Sequence, residues 1–313
     1  MKILATTNAP FEFTPPEDVA VVGIDENEPV PPEHLDADAA ILQGWTSPAA
    51  SQLAREATHL RWVQTLAAGP DGVLAAGFPA SVTITNGRGL HDLTVSETAV
   101  ALALAGVLQF PAMLAAQRAH HWDPHFGRWR TLRPEGQLGS LIDTEVLVWG
   151  FGAIGQHTAR LFTALGARVR GVARSAGERA GFEVFSDAHL ATLLPQTDVL
   201  VMVLPATPDT YHALDADRLA LLPAHAWLVN VGRGTTVDPD ALAAALTAGR
   251  LGGAALDVVE PEPYPPDGPL WSTPNTILVP HMAGGVAHGS DALFNDNLAR
   301  LRAGRPLRNA VER

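Results

Sequence analysis

The sequence predicts an α/β protein of two domains, one built on a doubly wound parallel sheet and the other on a smaller open sheet. Three observations predict it. Short apolar, β-branched runs bounded by Gly, Pro or Asp alternate with stretches of helical pattern, and such alternation requires crossover connections and therefore parallel strands. The alternation comes in two blocks, one over residues 1–94 and one from residue 144 onward, with a long apolar helical segment between them. The chain has 313 residues, 47% apolar and 17% charged, enough to bury two cores.

In the first block "KILATT", "VAVVGI", "AAILQG", "WVQTLAAG" and "SVTITNG" read as strands, and "SPAASQLAREATHL" reads as one of the helices between them. The connecting segment "TVSETAVALALAGVLQFPAMLAAQRAHHW" reads as a long helix. Thr94 or Ser96 is its expected cap, Glu97 suits its positive end, and Pro111 is expected to bend it. In the second block "TEVLVWG", "ARVRGVARS", "DVLVMVLPA", "AWLVNVGRG", "GGAALDV" and "NTILVPH" read as strands of a parallel sheet, the last as an interior strand over residues 276–279. The final stretch "SDALFNDNLARLRAG" is an amphipathic helix that can return to the first domain. The expected division is therefore 1–94 with 286–313, a discontinuous domain, and 95–285, a second domain.

Composition removes several chemistries. There is no cysteine, hence no disulfide, thiolate nucleophile or Cys-ligated zinc, which suits a reducing cytoplasm. Lys2 is the only lysine, which argues against a Walker-type phosphate loop and a catalytic Schiff base. No metal site is expected. A formal net charge of −12 without a basic run disfavours nucleic acid and anionic membranes. The most apolar segment, "AVALALAGVL", is about half the roughly 20 residues a membrane span needs, and the N-terminus lacks a signal peptide's apolar region.

The strongest local motif is "VLVWGFGAIG", which sets Gly150, Gly152 and Gly155 in GxGxxG spacing, with Ala153 and Ile154 between the last two. A strand precedes it and a helical pattern follows, the context in which glycines permit a tight turn and a helix N-terminus faces a pyrophosphate. A carboxylate at the end of the next strand would accept from a free ribose 2′-hydroxyl. Here that strand ends in Arg174 and Ser175, which suit a 2′-phosphate, so NADP(H) is favoured and NAD(H) stays possible. Arg233 stands between two glycines, Asp257 within the strand "AALDV", Glu262 in the loop beyond it, and His281 after the stop at Pro280. All four belong to the carboxyl ends of parallel strands, where ligands of such sheets bind.

Taken together, "VWGFGAIG", "DVLVMVLPATPDTYHAL", "LVNVGRGTTVD", "AALDVVEPEP" and "PLWSTPNTILVPHMAGG" resemble, in order and spacing, the segments of the D-isomer-specific 2-hydroxyacid dehydrogenase family, and "TLAAGPDGV" resembles its substrate loop. The resemblance covers essentially the whole chain. It implies a Rossmann domain beside a smaller flavodoxin-like α/β domain, and an NAD(P)-dependent oxidoreductase that reduces a small 2-keto acid, with glyoxylate or hydroxypyruvate favoured. It implies His281 as general acid in reduction and general base in oxidation, Glu262 as its partner, and Arg233 on the substrate carboxylate. Asp257, Leu204, Pro205 and Val231 would border the nicotinamide, and backbone amides of Ala67, Ala68 and Gly69 would hold the substrate carboxylate.

The sequence departs from the family in having Ala67 where glycine is usual, Arg174 where an acid is usual, and Asp143 at a turn that often carries glycine. Glu262 argues against formate oxidation, and the end at residue 313 against a phosphoglycerate enzyme with a C-terminal regulatory domain. The lack of a signal-like or membrane-spanning apolar segment predicts a cytoplasmic protein, and the resemblance further implies a homodimer paired near "TVSETAVALALAGVL", with Trp129 where related reductases present an aromatic residue to the neighbouring subunit. A dinucleotide-sensing, corepressor-like binding protein of the same fold is the alternative function. An amino-acid dehydrogenase would want a catalytic lysine that the chain lacks.

Overall fold

The computed structural model describes residues 1–124, 126 and 131–312, with Glu135 described by its backbone alone; Trp129 lies outside the described residues. The chain divides into two compact units, Met1–Asp92 with Gly284–Arg313, and Leu93–Ala283.

In the first unit the strands are β1 (Lys2–Thr6), β2 (Ala20–Ile24), β3 (Ala39–Leu42), β4 (Trp62–Thr65) and β5 (Thr83–Thr85), all parallel in the order β2-β1-β3-β4-β5. This is the flavodoxin-like order. Because side chains alternate along a strand, Ile3 and Leu4 of β1 enter different cores. Leu4 joins Val63, Ile84 and Leu53. Ile3 joins Ile41 and Trp62 on the other face, covered by Leu293, Phe294 and Leu298 of the helix Ser290–Arg302. The C-terminal helix is thus part of the first unit. Ser47 caps the helix Pro48–Glu56 by accepting from the Ala50 N–H.

The second unit carries β6 (Glu145–Trp149), β7 (Arg168–Val172), β8 (Gly177–Arg179), β9 (Phe182–Phe185), β10 (Val199–Met202), β11 (Trp227–Asn230), β12 (Gly253–Leu256) and β13 (Thr276–Leu278) in the order β13-β12-β11-β10-β6-β7-β9-β8. Every pair is parallel except β8 with β9. This is the Rossmann order extended by one strand on one side and an antiparallel edge on the other. Connections leave β6 to both sides, so the loop after β6 lies at the switch point of the sheet, where open α/β sheets bind their ligands.

Three expectations change. The connecting helix is two helices, Asp92–Val107 and Phe110–Arg118, bent by 66°. The break falls at Gln109, whose φ of +60° is left-handed, and Pro111 sits in the first turn of the second helix, where its missing N–H costs nothing. Thr94 and Ser96 lie inside the helix rather than capping it; Ser96 instead donates to the Ile154 carbonyl. β13 is an edge strand, half-buried, because only β12 pairs with it. Among the described residues no single helix is long and apolar enough to cross a membrane, and none of the acidic and histidine clusters has the form of a metal site.

Candidate active site

The loops after β6, β7, β10, β11, β12 and β13 form a continuous rim on the second unit. Backbone bonds carry the sheet past its strand ends. The Val231 N–H donates to the Met202 carbonyl at 3.1 Å, Asp257 N–H to Asn230 at 2.9 Å and His281 N–H to Asp257 at 2.9 Å. The side chains on this rim are therefore held by rigid neighbours rather than by free loops.

The glycine motif separates into three physical roles. Gly150 has a φ of +107°, and a Cβ there would lie 2.4 Å from the Val203 carbonyl oxygen. A Cβ on Gly155 would lie 2.4 Å from the Gly150 oxygen, so this glycine lets the helix Ala153–Ala164 sit against the turn. A Cβ on Gly152 would meet nothing within 4 Å. The fold does not demand glycine at 152; a ligand approaching the backbone does. No side chain caps the helix at Gly152, so the first-turn N–H groups, including those of Ala153 and Ile154, are left for an anion. The residues present thus fit a dinucleotide.

At the end of β7, Arg174 and Ser175 are exposed. Sequence reasoning missed Arg179 on β8. Its guanidinium donates to the Ser175 carbonyl at 2.9 Å and hydroxyl at 2.7 Å, and to the Phe151 carbonyl at 3.2 Å. All three acceptors are neutral, so the positive charge is uncompensated, and among the described residues no carboxylate pairs with Arg174 or Arg179. An unmatched pair of guanidinium groups beside an open helix N-terminus favours a phosphate.

Arg233 follows β11. The glycines on either side of it are required by packing. A Cβ on Gly232 would lie 2.6 Å from the backbone of Leu204, and one on Gly234 would lie 1.9 Å from the Val259 oxygen. Buried Asn230 fixes the turn by accepting from the Gly232 N–H at 3.0 Å and donating to the Arg233 carbonyl at 3.1 Å, while Thr236 Oγ1 donates to the same carbonyl at 2.7 Å. The Arg233 guanidinium donates to the Gly232 carbonyl at 2.9 Å. Leu204 and Val231 are buried beside this turn and Pro205 is exposed.

His281 has a φ of +51°, a left-handed conformation that costs a non-glycine residue about 1–3 kcal/mol and gathers at functional sites. Its Nδ1 lies 2.7 Å from Glu262 Oε2, which orients the ring with Nε2 on the side away from that carboxylate. Glu262 Oε1 accepts from the Val259 N–H at 3.0 Å. Burial alone would raise the Glu262 carboxyl, but the hydrogen bonds from His281 and Val259, with the positive charges of His281 and Arg233, hold it below the usual carboxylate range. Buried Asp257 is pushed the other way by its burial, partly offset by the Met282 and Ala283 N–H groups that it accepts from. An imidazole oriented by an ionised carboxylate, with a guanidinium near the same carboxylate, can deliver a proton to an oxygen whose substrate is held by its own carboxylate.

The loop after β4 holds Ala67, Ala68 and Gly69 in the first unit. The Ala67 N–H is already used: it donates to the Gln43 carbonyl at 2.8 Å. It therefore cannot bind a substrate, which corrects the expectation for that residue, whereas no fixed partner takes the N–H groups of Ala68 and Gly69 among the described residues.

Comparison with known proteins finds the family of the chain. The family model for the NAD-binding domain of D-isomer specific 2-hydroxyacid dehydrogenases matches residues 100–283. A glyoxylate/hydroxypyruvate reductase of Arabidopsis thaliana is 29% identical over 286 residues, 90% of this chain and 85% of its own. The crystal structure of a D-isomer specific 2-hydroxyacid dehydrogenase family protein from Aeromonas salmonicida superposes with a TM-score of 0.83 at 30% identity, covering 99% of this chain and 98% of the other. That of an NADPH-dependent glyoxylate/hydroxypyruvate reductase from Sinorhizobium meliloti, in complex with NADP and sulfate, superposes with a TM-score of 0.79 at 29% identity, with the same coverage.

Proposed function

The chain belongs to the D-isomer specific 2-hydroxyacid dehydrogenase family, and we propose that it reduces a small 2-keto acid, glyoxylate or hydroxypyruvate foremost, to the D-2-hydroxy acid with NADPH. It is an NAD(P)-dependent oxidoreductase. The observation that carries the reading is the 2.7 Å pair between His281 and ionised Glu262, on the same rim as Arg233 and the open glycine turn.

When bound, the nicotinamide supplies the hydride. The protein's own residues do the rest. His281 Nε2 gives a proton to the carbonyl oxygen in reduction and takes it back in oxidation. Glu262 keeps the ring in the orientation that exposes Nε2 and stabilises its charged form. Arg233 holds the substrate carboxylate and polarises the carbonyl, and in the first unit the N–H groups of Ala68 and Gly69 are assigned to a substrate carboxylate. Gly150, Gly152, Ala153, Ile154 and Gly155 cradle the pyrophosphate, Arg174, Ser175 and Arg179 take the 2′-phosphate, and Leu204, Pro205, Val231 and Asp257 border the nicotinamide.

We further assign a homodimer in the cytoplasm. The helix Phe110–Arg118 buries none of its residues although it is largely apolar, and Phe110, Leu114 and Trp122 are exposed along this stretch. An apolar face of this kind is suited to a second copy of the chain. Sedimentation should give a dimer that Leu114→Glu dissociates; a monomeric wild type at micromolar concentration removes the assignment. The reaction itself is tested by oxidation of NADPH and NADH with a panel of 2-keto acids. Preference for NADPH and turnover of glyoxylate or hydroxypyruvate are expected, and no turnover with any keto acid would move the reading to a dinucleotide sensor.

A further inference from the structure

We infer that His91 is a positioning residue for the substrate loop, acting as an imidazolium shared between two backbone carbonyl oxygens; the inference rests on the assignment of the Ala68 and Gly69 N–H groups to the substrate carboxylate. His91 Nε2 lies 2.8 Å from the Leu66 oxygen and Nδ1 lies 3.2 Å from the Val286 oxygen. A carbonyl only accepts. Both ring nitrogens must therefore donate, and a neutral imidazole can donate from one alone. Deprotonation would set a nitrogen lone pair against a carbonyl lone pair and release one of the two contacts.

What those contacts hold follows from the planarity of the peptide bond, in which the direction of a C=O fixes the direction of the next N–H. The Leu66 carbonyl is held by His91 and closely backed by Gly87, where a Cβ would lie 1.8 Å from that oxygen. The N–H of the same peptide, on Ala67, is held by Gln43 at 2.8 Å. The Ala67 carbonyl accepts from the Gly87 N–H at 2.8 Å and from Thr65 Oγ1 at 2.8 Å, which directs the Ala68 N–H the opposite way. His91 is the one ionisable side chain in this set. It also reaches Val286, so the same ring ties the substrate loop to the 284–289 segment of the same unit. The ionisable residues on the segments around the ring are Arg88 and Asp92 on its own, His288 on the 284–289 segment and Asp71 beyond the substrate loop. A positive charge one peptide away from the carboxylate donors adds attraction for an anionic substrate.

The test compares His91→Ala and His91→Asn with wild type, reading KM and kcat for glyoxylate across about pH 5.5 to 8.5, NADPH affinity by fluorescence, and the ring nitrogens by 15N NMR, assigned by the signal absent from His91→Asn. Expected are a KM raised about tenfold or more in His91→Ala, with kcat and NADPH affinity little changed. Should His91→Ala not fold, His91→Asn, which keeps one donor without the charge, is expected to raise KM by a smaller factor. An unchanged KM in the folded variants, or a ring that carries a single proton throughout, overturns the inference. If wild type turns over no keto acid, the functional reading fails instead, and the ring signals alone decide whether His91 bridges two carbonyls as a cation.

Discussion

Replacing Glu262 by Gln removes a charge without removing bulk, and the structure sets the size of the effect. The carboxylate serves two donors, His281 Nδ1 at 2.7 Å and the Val259 N–H at 3.0 Å. An amide has one oxygen for them. With charge centres about 4 Å apart, the ion pair is worth about 1 kcal/mol in water and about 4 kcal/mol at an effective dielectric constant near 20. The side chains are 25% and 34% exposed, so solvent screening brings the contribution to about 1.5–2 kcal/mol, or about tenfold in any step that needs the imidazolium. The kcat/KM for NADPH oxidation by glyoxylate should therefore fall about tenfold in Glu262→Gln. Oxidation of the hydroxy acid should suffer in a second way. If the amide oxygen stays on Val259, its NH₂ faces Nδ1 and the ring proton moves to Nε2, where a base needs a lone pair. Stopped-flow profiles in both directions measure this. Superimposable profiles for wild type and Glu262→Gln would refute the assignment of Glu262 as the partner of His281.

The glycine motif gives a paired prediction: Gly152→Ala should leave thermal stability within about 1 kcal/mol of wild type while weakening NADPH binding, because its Cβ meets only open space. Gly155→Ala, whose Cβ would lie 2.4 Å from the Gly150 oxygen, should lower the melting temperature even without cofactor. Arg174→Ala and Arg179→Ala should each weaken NADPH about tenfold and NADH little, read as the ratio of dissociation constants in titrations of intrinsic fluorescence. Burial pushes the Glu26 carboxyl up, although the Gln43 N–H and the hydroxyls of Thr6 and Ser47 oppose this. The folded state then binds more protons than the unfolded one between the ordinary carboxylate value and the raised one, so this group's stability contribution is present at low pH and declines as pH rises through that window. Chemical denaturation at pH 4.5 and pH 8 should accordingly show Glu26→Gln gaining on wild type as pH rises, and a gain on acidification would contradict this.

What was legible in the sequence depends on how local its cause is. The glycine turn and the parallel strands follow from spacing and period within a few residues, and the topology of a parallel sheet then obliges residues at separate strand ends, such as Arg233 and His281, to share one rim. Arg179 was not legible, because it depends on a short edge strand, β8, whose residues Gly177–Arg179 carry no strand pattern and whose place comes from antiparallel pairing with β9. Pro111 predicts a bend in the connecting helix, but proline suits the first turn of a helix and left-handed Gln109 before it makes the break. The Ala67 N–H looked available because no sequence pattern shows that Gln43, on another strand, takes it. Asn230 ends an apolar strand, and a polar residue in that place is a signal of a buried hydrogen-bonding role.

The central claim is that His281 transfers the proton that accompanies hydride transfer. Its most direct test is a single turnover, in which enzyme loaded with NADPH is mixed with glyoxylate and loss of the reduced nicotinamide absorbance is followed for wild type and His281→Ala. The account predicts that His281→Ala binds NADPH as wild type does but reacts about 10²–10⁴-fold more slowly. Equal rates for the two proteins would contradict it.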